Sequence, residues 1–600
     1  MLEKINNITD LKKLSVKQLP QLCEDIRAKL IDEVSVTGGH LASNLGVVEL
    51  TVALHYVFDE ADKIVWDVGH QSYVHKILTR RGENFSSLRQ KDGISGFPSC
   101  EESASDSFDT GHAGTAISAA LGLAKARDNV GGDGKVVAVV GDGSMTCGLT
   151  YEALNNVKDT NMLIILNDNN MSISDNVGSA TLNMSKLRVG KYDSNKEKLK
   201  KRLLKIPLIG GSLYKFMRWC KRRAKLKFVR NSYFDMFDLK YIGIIDGNEI
   251  KDLVYYLTKI KNNVCKPTVL HIVTKKGKGF LPAEKDPESF HSVKGSATAD
   301  CDALDSATVV GDTLCKLAES NGNVVAVCAA MSKATGLDEF KSKFSNRFFD
   351  VGIAEEHAVT FAAGLAKGGV LPFVAIYSTF LQRSFDQILH DVALQNLPVV
   401  FLIDRAGFVG SDGKTHQGLF DISYLSQIPN LKLLTPSTYS ELSQMILSAA
   451  DAHCPVAIRY ARTLLDDKRD YLNKWNVVKI VDNAKLCILA VGSRMQQVAL
   501  SVADDNVEVV DVTFVKPLDE AFLCSLGDCA VLTMEENVER GGFGESVASY
   551  LVKKGRKNTV KIVAVRDEFV PHATVDEQLQ MAGMNTESIA TIVSELLSKS

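Results

Sequence analysis

The stretch Val136-Val137-Ala138-Val139-Val140-Gly141-Asp142-Gly143 decides the fold class of this chain. Its apolar, mostly β-branched start predicts a strand buried on both faces, and the Gly-Asp-Gly that follows predicts a tight turn. A helical pattern over Leu149–Lys158 and a second apolar run, Met162–Leu166, come next. A strand, a helix and another strand in this order predict a parallel pair of strands in an α/β fold.

The same alternation recurs along the whole chain and predicts mainly parallel sheets. Further strands are expected at Val324–Val327, Phe373–Tyr377, Val399–Ile403, Leu486–Val491, Val507–Val512 and Ala530–Met534. Small or charged residues near Gly295–Asp305 and over Asp466–Lys474 interrupt the pattern. We therefore expect three domains, at residues 1–300, 301–475 and 476–600.

Composition and charge exclude several classes of protein. The net charge of −2 gives no support to a nucleic-acid or membrane partner, and no apolar run approaches the length that spans a bilayer. The residues Met1–Asp10 lack the apolar core of a signal peptide. The 12 cysteines are scattered without a CxxC pair, which argues against a zinc site and predicts a reducing, cytoplasmic compartment.

One segment differs in kind from the rest. Residues 186–230 are strongly basic, and their only acidic residues are Asp193 and Glu197. We expect a mobile, solvated insertion over about 176–232. The alternative is a lid that helps to hold an anionic substrate.

Polar residues follow the first two predicted strands where each one ends. Asp142 follows the first strand, and Asn167-Asp168-Asn169-Asn170 follows the second. A carboxylate and an amide at neighbouring strand ends can converge on Mg²⁺, which takes about six hard oxygen ligands, phosphate oxygens among them. The flanking glycines allow backbone N–H groups to approach a phosphate.

This segment resembles the metal and diphosphate motif of thiamine-diphosphate enzymes. The resemblance implies that Asp142 and Asn169 bind Mg²⁺ through their side chains and Met171 through its carbonyl oxygen. It also implies diphosphate contacts from Gly143, Ser144 and Lys276, although the Lys/Gly-rich run around Lys276 could equally be a solvated loop.

Such a cofactor needs a carboxylate that favours the imino form of its aminopyrimidine ring, and a buried carboxylate with a raised pKa is suited to this. Glu355 is the candidate, because it follows the strand-like Phe348–Val351 and precedes the apolar helical pattern Ala358–Leu365. Acidic residues at helix starts are also common for dipole reasons alone.

Longer runs resemble the 1-deoxy-D-xylulose-5-phosphate synthase family, over essentially all 600 residues. The matching runs are Gly39–Gly46, Trp66–Gln71, Tyr377–Arg383, Asp404–Gly407, Asp412–Gly418 and Phe514–Asp519. The resemblance implies three doubly wound α/β domains of transketolase type, a homodimer, and thiamine diphosphate with Mg²⁺ as cofactors. The implied reaction joins pyruvate to D-glyceraldehyde 3-phosphate with loss of carbon dioxide, and it supplies isoprenoid precursors.

The resemblance also assigns roles to individual residues. Proton transfer and hydrogen bonding to the substrates would fall to His40, His70, His291 and His416, with Asp412 orienting them. The substrate phosphate would be held by Ser43, Tyr377, Arg405 and Arg459, because guanidinium groups pair two phosphate oxygens at once. Further cofactor contacts would come from His70, Gly111, His112, Ala113, Ile173 and Phe380. We expect Arg383 to stabilise the structure.

The chain also departs from the family pattern. Where the family usually reads Gly-His-Ser-Ser-Thr-Ser, residues 111–116 read Gly-His-Ala-Gly-Thr-Ala. Ser99-Cys100 stands in place of a Lys-Arg pair, and Asn170 and Asn248 replace an acidic residue and a histidine. These differences remove hydroxyl and charged groups without touching Asp142, Asn169 or Glu355.

Three alternatives remain open at this point. A transketolase would share the cofactor motif but transfer a two-carbon ketol unit without releasing carbon dioxide. The decarboxylating component of pyruvate dehydrogenase would need a lipoyl-domain partner. An inactive paralogue would serve as a binding protein, but the retained Asp142, Asn169, Glu355 and histidines argue against it.

Overall fold

The computed structural model describes residues 1–169, 232–263, 266–296 and 304–599. Within these residues the chain forms two compact units. The first comprises Met1–Arg89 and Gly93–Ala299, and the second comprises Gln90–Asp92 and Asp300–Ser600. Met171 and Ile173 lie outside the described residues, and so does the predicted basic insertion except for its last residue, Ser232.

The first unit is built on one sheet of five parallel strands in the order β1-β2-β3-β5-β4. These strands are β1 (Lys63–Trp66), β2 (Val136–Gly141), β3 (Met162–Asp168), β4 (Lys240–Asp246) and β5 (Thr268–Val273). Its described helices are α1 (Ile8–Lys12), α2 (Leu19–Thr37), α3 (Leu41–Gly46), α4 (Val48–Val57), α5 (Tyr73–Lys76), α6 (Ala116–Asn129), α7 (Gly148–Asn156), α8 (Ser232–Asp235), α9 (Ile250–Asn263) and α10 (Leu281–Lys285).

Both faces of this sheet are buried, which explains its continuous apolar strands. Val137 and Val139 face a core that includes residues of α2, α4 and α9. Val136, Ala138 and Val140 face the opposite core, which includes residues of α6 and α7. Helices therefore cover both sides of a parallel sheet, as the unbroken β-branched run predicts.

The second unit contains a seven-stranded and a five-stranded sheet, in the orders β15-β10-β11-β9-β8-β6-β7 and β12-β14-β13-β16-β17. The strands are β6 (Val324–Cys328), β7 (Phe348–Asp350), β8 (Leu371–Tyr377), β9 (Val400–Asp404), β10 (Lys432–Leu434), β11 (Val456–Arg459), β12 (Asn476–Lys479), β13 (Leu486–Val491), β14 (Val507–Asp511), β15 (Phe514–Lys516), β16 (Ala530–Val538) and β17 (Val560–Val565).

Helices lie between most of these strands in the sequence. They are α11 (Ser306–Ser320), α12 (Asp338–Lys343), α13 (Glu355–Lys367), α14 (Ser378–Leu381), α15 (Asp421–Leu425), α16 (Tyr439–Ala449), α17 (Ser493–Val502), α18 (Glu520–Ser525), α19 (Phe543–Lys553), α20 (Val575–Met581) and α21 (Thr586–Lys599). No helix in the described part of the chain is both long and apolar enough to cross a membrane.

Antiparallel pairing occurs at the edges of the two sheets of the second unit. β12 pairs antiparallel with β14, and β15 pairs antiparallel with β10 of the larger sheet. β15 follows β14 of the smaller sheet by two residues, so this short strand ties the two sheets together. The prediction of α/β architecture with mainly parallel sheets is confirmed, whereas these edge pairings were not predicted.

Candidate functional site

The ends of β2 and β3 place the predicted metal ligands of the first unit. The two strands are parallel neighbours in which Gly141 pairs with Asn167, so Asp142 and Asn169 both follow the carboxyl end of a strand. The backbone N–H of Asp142 donates to the carbonyl of Asn167 at 3.2 Å, and the Asp142 side chain is buried. This register brings a carboxylate and an amide to one edge of the sheet.

The residues around these strand ends suit a diphosphate and a divalent cation. Gly143–Thr146 forms a short 3-10 turn, in which Ser144 is buried and its carbonyl accepts from Thr150 Oγ1 at 2.8 Å. Lys276 follows β5 and is buried, and burial lowers its pKa to about 8 against the opposing effect of Asp142 and Glu288. A buried ammonium group gains stability from a bound anion.

In the described part of the chain, ionisable side chains do not form a metal site by themselves. Among the described residues, no three His, Cys, Asp or Glu side chains group in this way. A cation at Asp142 would therefore need amide, carbonyl and ligand oxygens as well, which is the donor set that Mg²⁺ takes with a diphosphate.

The loop that carries Gly111, His112 and Ala113 is anchored by a residue to which the sequence analysis gave no role. Asp67 accepts hydrogen bonds from the backbone N–H groups of Gly114 and Ala116, both at 3.0 Å. Asp67 directly follows β1, three residues before His70. Its position inside the family-like run Trp66–Gln71 was the available signal.

Gly114 also has a tight neighbour across this loop. Its φ is +83°, and a Cβ atom there would lie 2.7 Å from the Cβ of Cys147. Cys147 directly precedes α7, the helix that follows the Gly-Asp-Gly turn. The departure from the family pattern at position 114 is therefore matched by a side chain that fills the same space.

Three predicted histidines form a cluster in the first unit. The ring centroids of His40, His70 and His291 lie 5.3–5.7 Å apart. Burial lowers the pKa of His70 and of His291 well below the usual value, and nearby Lys276 adds to this effect. These two rings are therefore neutral at neutral pH, which leaves each with one nitrogen that donates and one that accepts.

Ser43 contacts the same cluster. A hydrogen bond of 3.3 Å joins Ser43 Oγ to His291 Nδ1. The Nδ1 atom of His70 is buried and has no hydrogen-bond partner in the described residues. An unpartnered buried nitrogen is costly, so a ligand that supplies a partner would be stabilised there.

In the second unit, Glu355 is the first residue of α13 and is almost completely buried. Its Oε2 atom has no hydrogen bond in the part of the chain that the structure describes, and Arg383 Nη1 lies 3.6 Å away. Burial raises the pKa of Glu355, although Arg383 opposes the increase. The carboxyl group therefore has the environment that the sequence analysis required of it.

Aromatic rings stack beside the end of β8. The ring of Phe380 lies 5.9 Å from that of Tyr377, and the two planes are nearly parallel at 7°. His416 meets Phe380 edge-on at 5.6 Å. The predicted aromatic face, a predicted phosphate ligand and a predicted catalytic histidine thus lie together.

Arg405 belongs to the same group. Its Nη2 donates to the hydroxyl of Tyr377 at 3.2 Å, and its guanidinium carbon lies 5.1 Å from the centre of the Tyr377 ring. Asp404, at the end of β9, is fully buried, and burial raises its pKa to about 6 against the effect of Arg405. Asp404 Oδ1 accepts from the backbone N–H of Arg405 at 2.6 Å, and Nη1 of Arg405 is buried without a hydrogen-bond partner in the described residues.

Arg459 has a different environment from Arg405. Its Nε lies 3.0 Å from both carboxylate oxygens of Asp421, and its Nη2 donates to the carbonyl of Glu536 at 3.3 Å. Asp421 is fully buried and also accepts from Ser378 Oγ at 3.0 Å. These contacts favour a role for Arg459 in stabilising the second unit, and its predicted contact with a substrate phosphate stays a prediction.

The loop that carries Asp412 and His416 is held in place by contacts with His572 and Gln578 of the second unit. A hydrogen bond of 2.8 Å joins Thr415 Oγ1 to His416 Nδ1. The buried side chain of Gln578 accepts from the N–H of Gly410 and donates to its carbonyl, both at 2.9 Å. A Cβ atom on Gly413 would lie 2.7 Å from the backbone of His572, so this approach requires glycine.

Comparison with known proteins agrees with this arrangement. Family models match the chain as "1-deoxy-D-xylulose-5-phosphate synthase" over residues 2–274, "Transketolase, pyrimidine binding domain" over 302–468 and "Transketolase, C-terminal domain" over 474–589. The 1-deoxy-D-xylulose-5-phosphate synthase of Clostridium kluyveri is 44% identical over 98% of this chain and 97% of its own. The chain belongs to the 1-deoxy-D-xylulose-5-phosphate synthase family.

Two further relatives of the same name support the assignment. The protein from Natranaerobius thermophilus is 46% identical over 98% of this chain and 97% of its own, and that from Clostridium tetani is 44% identical over 99% of both. The predicted family and its transketolase-like fold are confirmed, as is the prediction of a transferase. The roles of individual site residues stay predictions.

The contact between Gly114 and Cys147 predicts a result that depends on both residues. Gly114→Ser should lower the melting temperature, because the left-handed backbone costs a non-glycine residue roughly 1–2 kcal/mol and the new Cβ meets Cys147. Cys147→Gly in the Gly114→Ser background should recover part of the loss by removing the clash. Calorimetric melting curves of both single variants and the double variant measure this. Additive losses in the double variant would contradict the proposed fit.

Proposed function

We propose that this chain condenses pyruvate with D-glyceraldehyde 3-phosphate, giving 1-deoxy-D-xylulose 5-phosphate and carbon dioxide for isoprenoid precursor synthesis. The observation that carries the proposal is the near-full-length match to relatives named for this synthesis. The strand-end residues, the histidine cluster and the buried Glu355 each suit a part of that chemistry. Assembly as a homodimer and a cytoplasmic location stay predictions.

The donor set of the first unit fits Mg²⁺ and the diphosphate of thiamine diphosphate. Asp142 and Asn169 would bind the metal, and Lys276 would contact the diphosphate as a buried cation. In the second unit, the Oε2 of Glu355 has no hydrogen bond in the described residues and fits a ring nitrogen, and Phe380 offers an aromatic face. When bound, the cofactor supplies a nucleophilic carbon, and its cationic ring acts as an electron sink.

The side chains of this chain would then hold and move protons. Glu355, whose pKa is raised by burial, would share a proton with the cofactor's pyrimidine ring, and Arg383 would limit how far that pKa rises. The neutral rings of His70 and His291 could accept or donate protons near substrate oxygens. Arg405 and Tyr377 would bind the phosphate of the acceptor.

Product analysis tests the proposal against the transketolase alternative. The purified protein with thiamine diphosphate, Mg²⁺, pyruvate and glyceraldehyde 3-phosphate should release one carbon dioxide for each product molecule, and the product should have the mass of both substrates less carbon dioxide. Removal of Mg²⁺ with a chelator should abolish the reaction. Ketol transfer from a ketose phosphate without carbon dioxide release would instead identify a transketolase, and no turnover with either donor would indicate a binding protein.

The different contacts of the two arginines predict different effects of replacing them. Arg405→Met should raise the KM for glyceraldehyde 3-phosphate about ten- to a hundred-fold, because a charge-assisted contact contributes roughly 1.5–3 kcal/mol. It should affect unphosphorylated glyceraldehyde much less, since that substrate lacks the phosphate. Arg459→Met should chiefly lower the melting temperature, because it leaves Asp421 buried without its cation, a loss of about 3–5 kcal/mol.

Kinetics with both acceptors, together with melting curves, measure these effects. If Arg459→Met raises the KM for glyceraldehyde 3-phosphate but not for glyceraldehyde, and the melting temperature is unchanged, Arg459 binds the phosphate after all. Equal losses on both acceptors for Arg405→Met would exclude it from phosphate binding.

A further inference from the structure

We propose that Asn44 and Tyr73 are positioning residues that hold His40 against His70, and we call this pair the Asn44–Tyr73 clamp. The inference rests on the proposed function in one respect, namely that the histidine cluster acts on the substrates. Neither residue was assigned a role from the sequence. The clamp lies wholly within the first unit.

Asn44 joins two separate segments of chain through one side chain. Its Nδ2 donates to the carbonyl oxygens of His40 at 2.6 Å and of His70 at 2.8 Å. Its Oδ1 accepts from the backbone N–H of Tyr73 at 2.8 Å, at the start of α5. Both donors and the acceptor of the amide are therefore used, and the residue is completely buried.

Tyr73 completes the arrangement from the other side of His40. Its hydroxyl oxygen accepts from the backbone N–H of His40 at 3.2 Å, so both backbone polar groups of His40 are bound by the clamp. Gly39 permits the approach, because its φ is +133° and a Cβ atom there would lie 2.5 Å from the Tyr73 hydroxyl. The Tyr73 ring is fully buried and meets Phe85 edge-on at 5.9 Å.

The geometry of the clamp bears on the histidine rings directly. His40 precedes α3 and His70 lies in the turn after β1, and neither is inside a helix or strand. The clamp fixes their backbones while their rings lie 5.7 Å apart. His291 reaches the same cluster because Gly39 and Val293 exchange backbone hydrogen bonds at 2.9 and 3.0 Å. A shift of about 1 Å in such groups can cost roughly a hundred-fold in rate.

The choice of residue types supports a positioning role. Asn44 lies inside the short helix α3, where asparagine is a poor helix former because its side chain competes for backbone groups. Here the amide bonds to two carbonyl oxygens outside that helix, which leucine or alanine could not do. A buried amide with all its hydrogen bonds made fixes one arrangement of the segments that it joins.

The test uses Tyr73→Phe, Asn44→Ala and the double variant. Tyr73→Phe removes only the hydroxyl, so it remains usable where Asn44→Ala fails to fold. Asn537→Ala is the matched control, since Asn537 is also completely buried and donates to Ser423 Oγ and to a backbone carbonyl, in the second unit. The measurements are kcat and KM, the melting temperature, the calorimetric Kd for thiamine diphosphate with Mg²⁺, and ¹³C NMR signals of labelled histidine rings.

The clamp predicts a loss in kcat of about ten- to a hundred-fold for Tyr73→Phe, with cofactor affinity nearly unchanged and altered His40 and His70 ring signals. The double variant should lose less than the product of the single losses, because both residues act through His40. Asn537→Ala should keep the wild-type kcat and ring signals.

Two results would overturn the clamp. One is a wild-type kcat with unchanged ring signals in Tyr73→Phe. The other is a fall in melting temperature and cofactor affinity with kcat per bound cofactor unchanged, which is the mark of a merely structural contact. If the wild-type protein makes no product, the proposed function fails, whereas the histidine signals still report on the clamp.

Discussion

The proposed chemistry depends on one constraint. Ionisable side chains at the carboxyl ends of parallel strands are buried away from water. In the first unit, the register of β2 against β3 places Asp142 beside the end of its neighbour strand, and Lys276 follows β5 in a buried position. Buried charges of this kind are unfavourable unless opposite charges lie nearby, and Asp142 opposes the effect of burial on the pKa of Lys276 in this way.

In the second unit, two ionisable side chains are also buried, but their surroundings differ. Glu355 is buried, and Arg383 at 3.6 Å offsets only part of the cost of burial, so the charged form of its carboxyl group is disfavoured. Arg459, by contrast, is satisfied by the carboxylate of Asp421. Glu355, at the start of α13, and Arg459, in β11, therefore differ in environment, because a carboxylate lies 3.0 Å from Arg459 whereas the guanidinium of Arg383 lies 3.6 Å from Glu355.

The local pattern of the sequence was enough to predict the elements that carry these groups. The apolar run before Asp142 became β2, and Glu355 does begin a helix, α13. Contacts between distant segments were not predictable, because no periodicity encodes them. The amide of Asn44 bridges two histidines that are 30 residues apart in sequence number, and Asp421 meets Arg459 from a separate helix. The resemblance named the histidines and arginines but not the residues that hold them.

Hydrogen–deuterium exchange at the thiazolium carbon of the bound cofactor tests the role of burial at Glu355 most directly. With cofactor and Mg²⁺ saturating, the wild-type protein should exchange fast, and Glu355→Gln should exchange about a hundred-fold or more slowly while still binding cofactor. Glu356→Gln, on the same turn of α13 but less buried, should exchange at nearly the wild-type rate. Wild-type exchange in Glu355→Gln would contradict the account and place the activating group elsewhere.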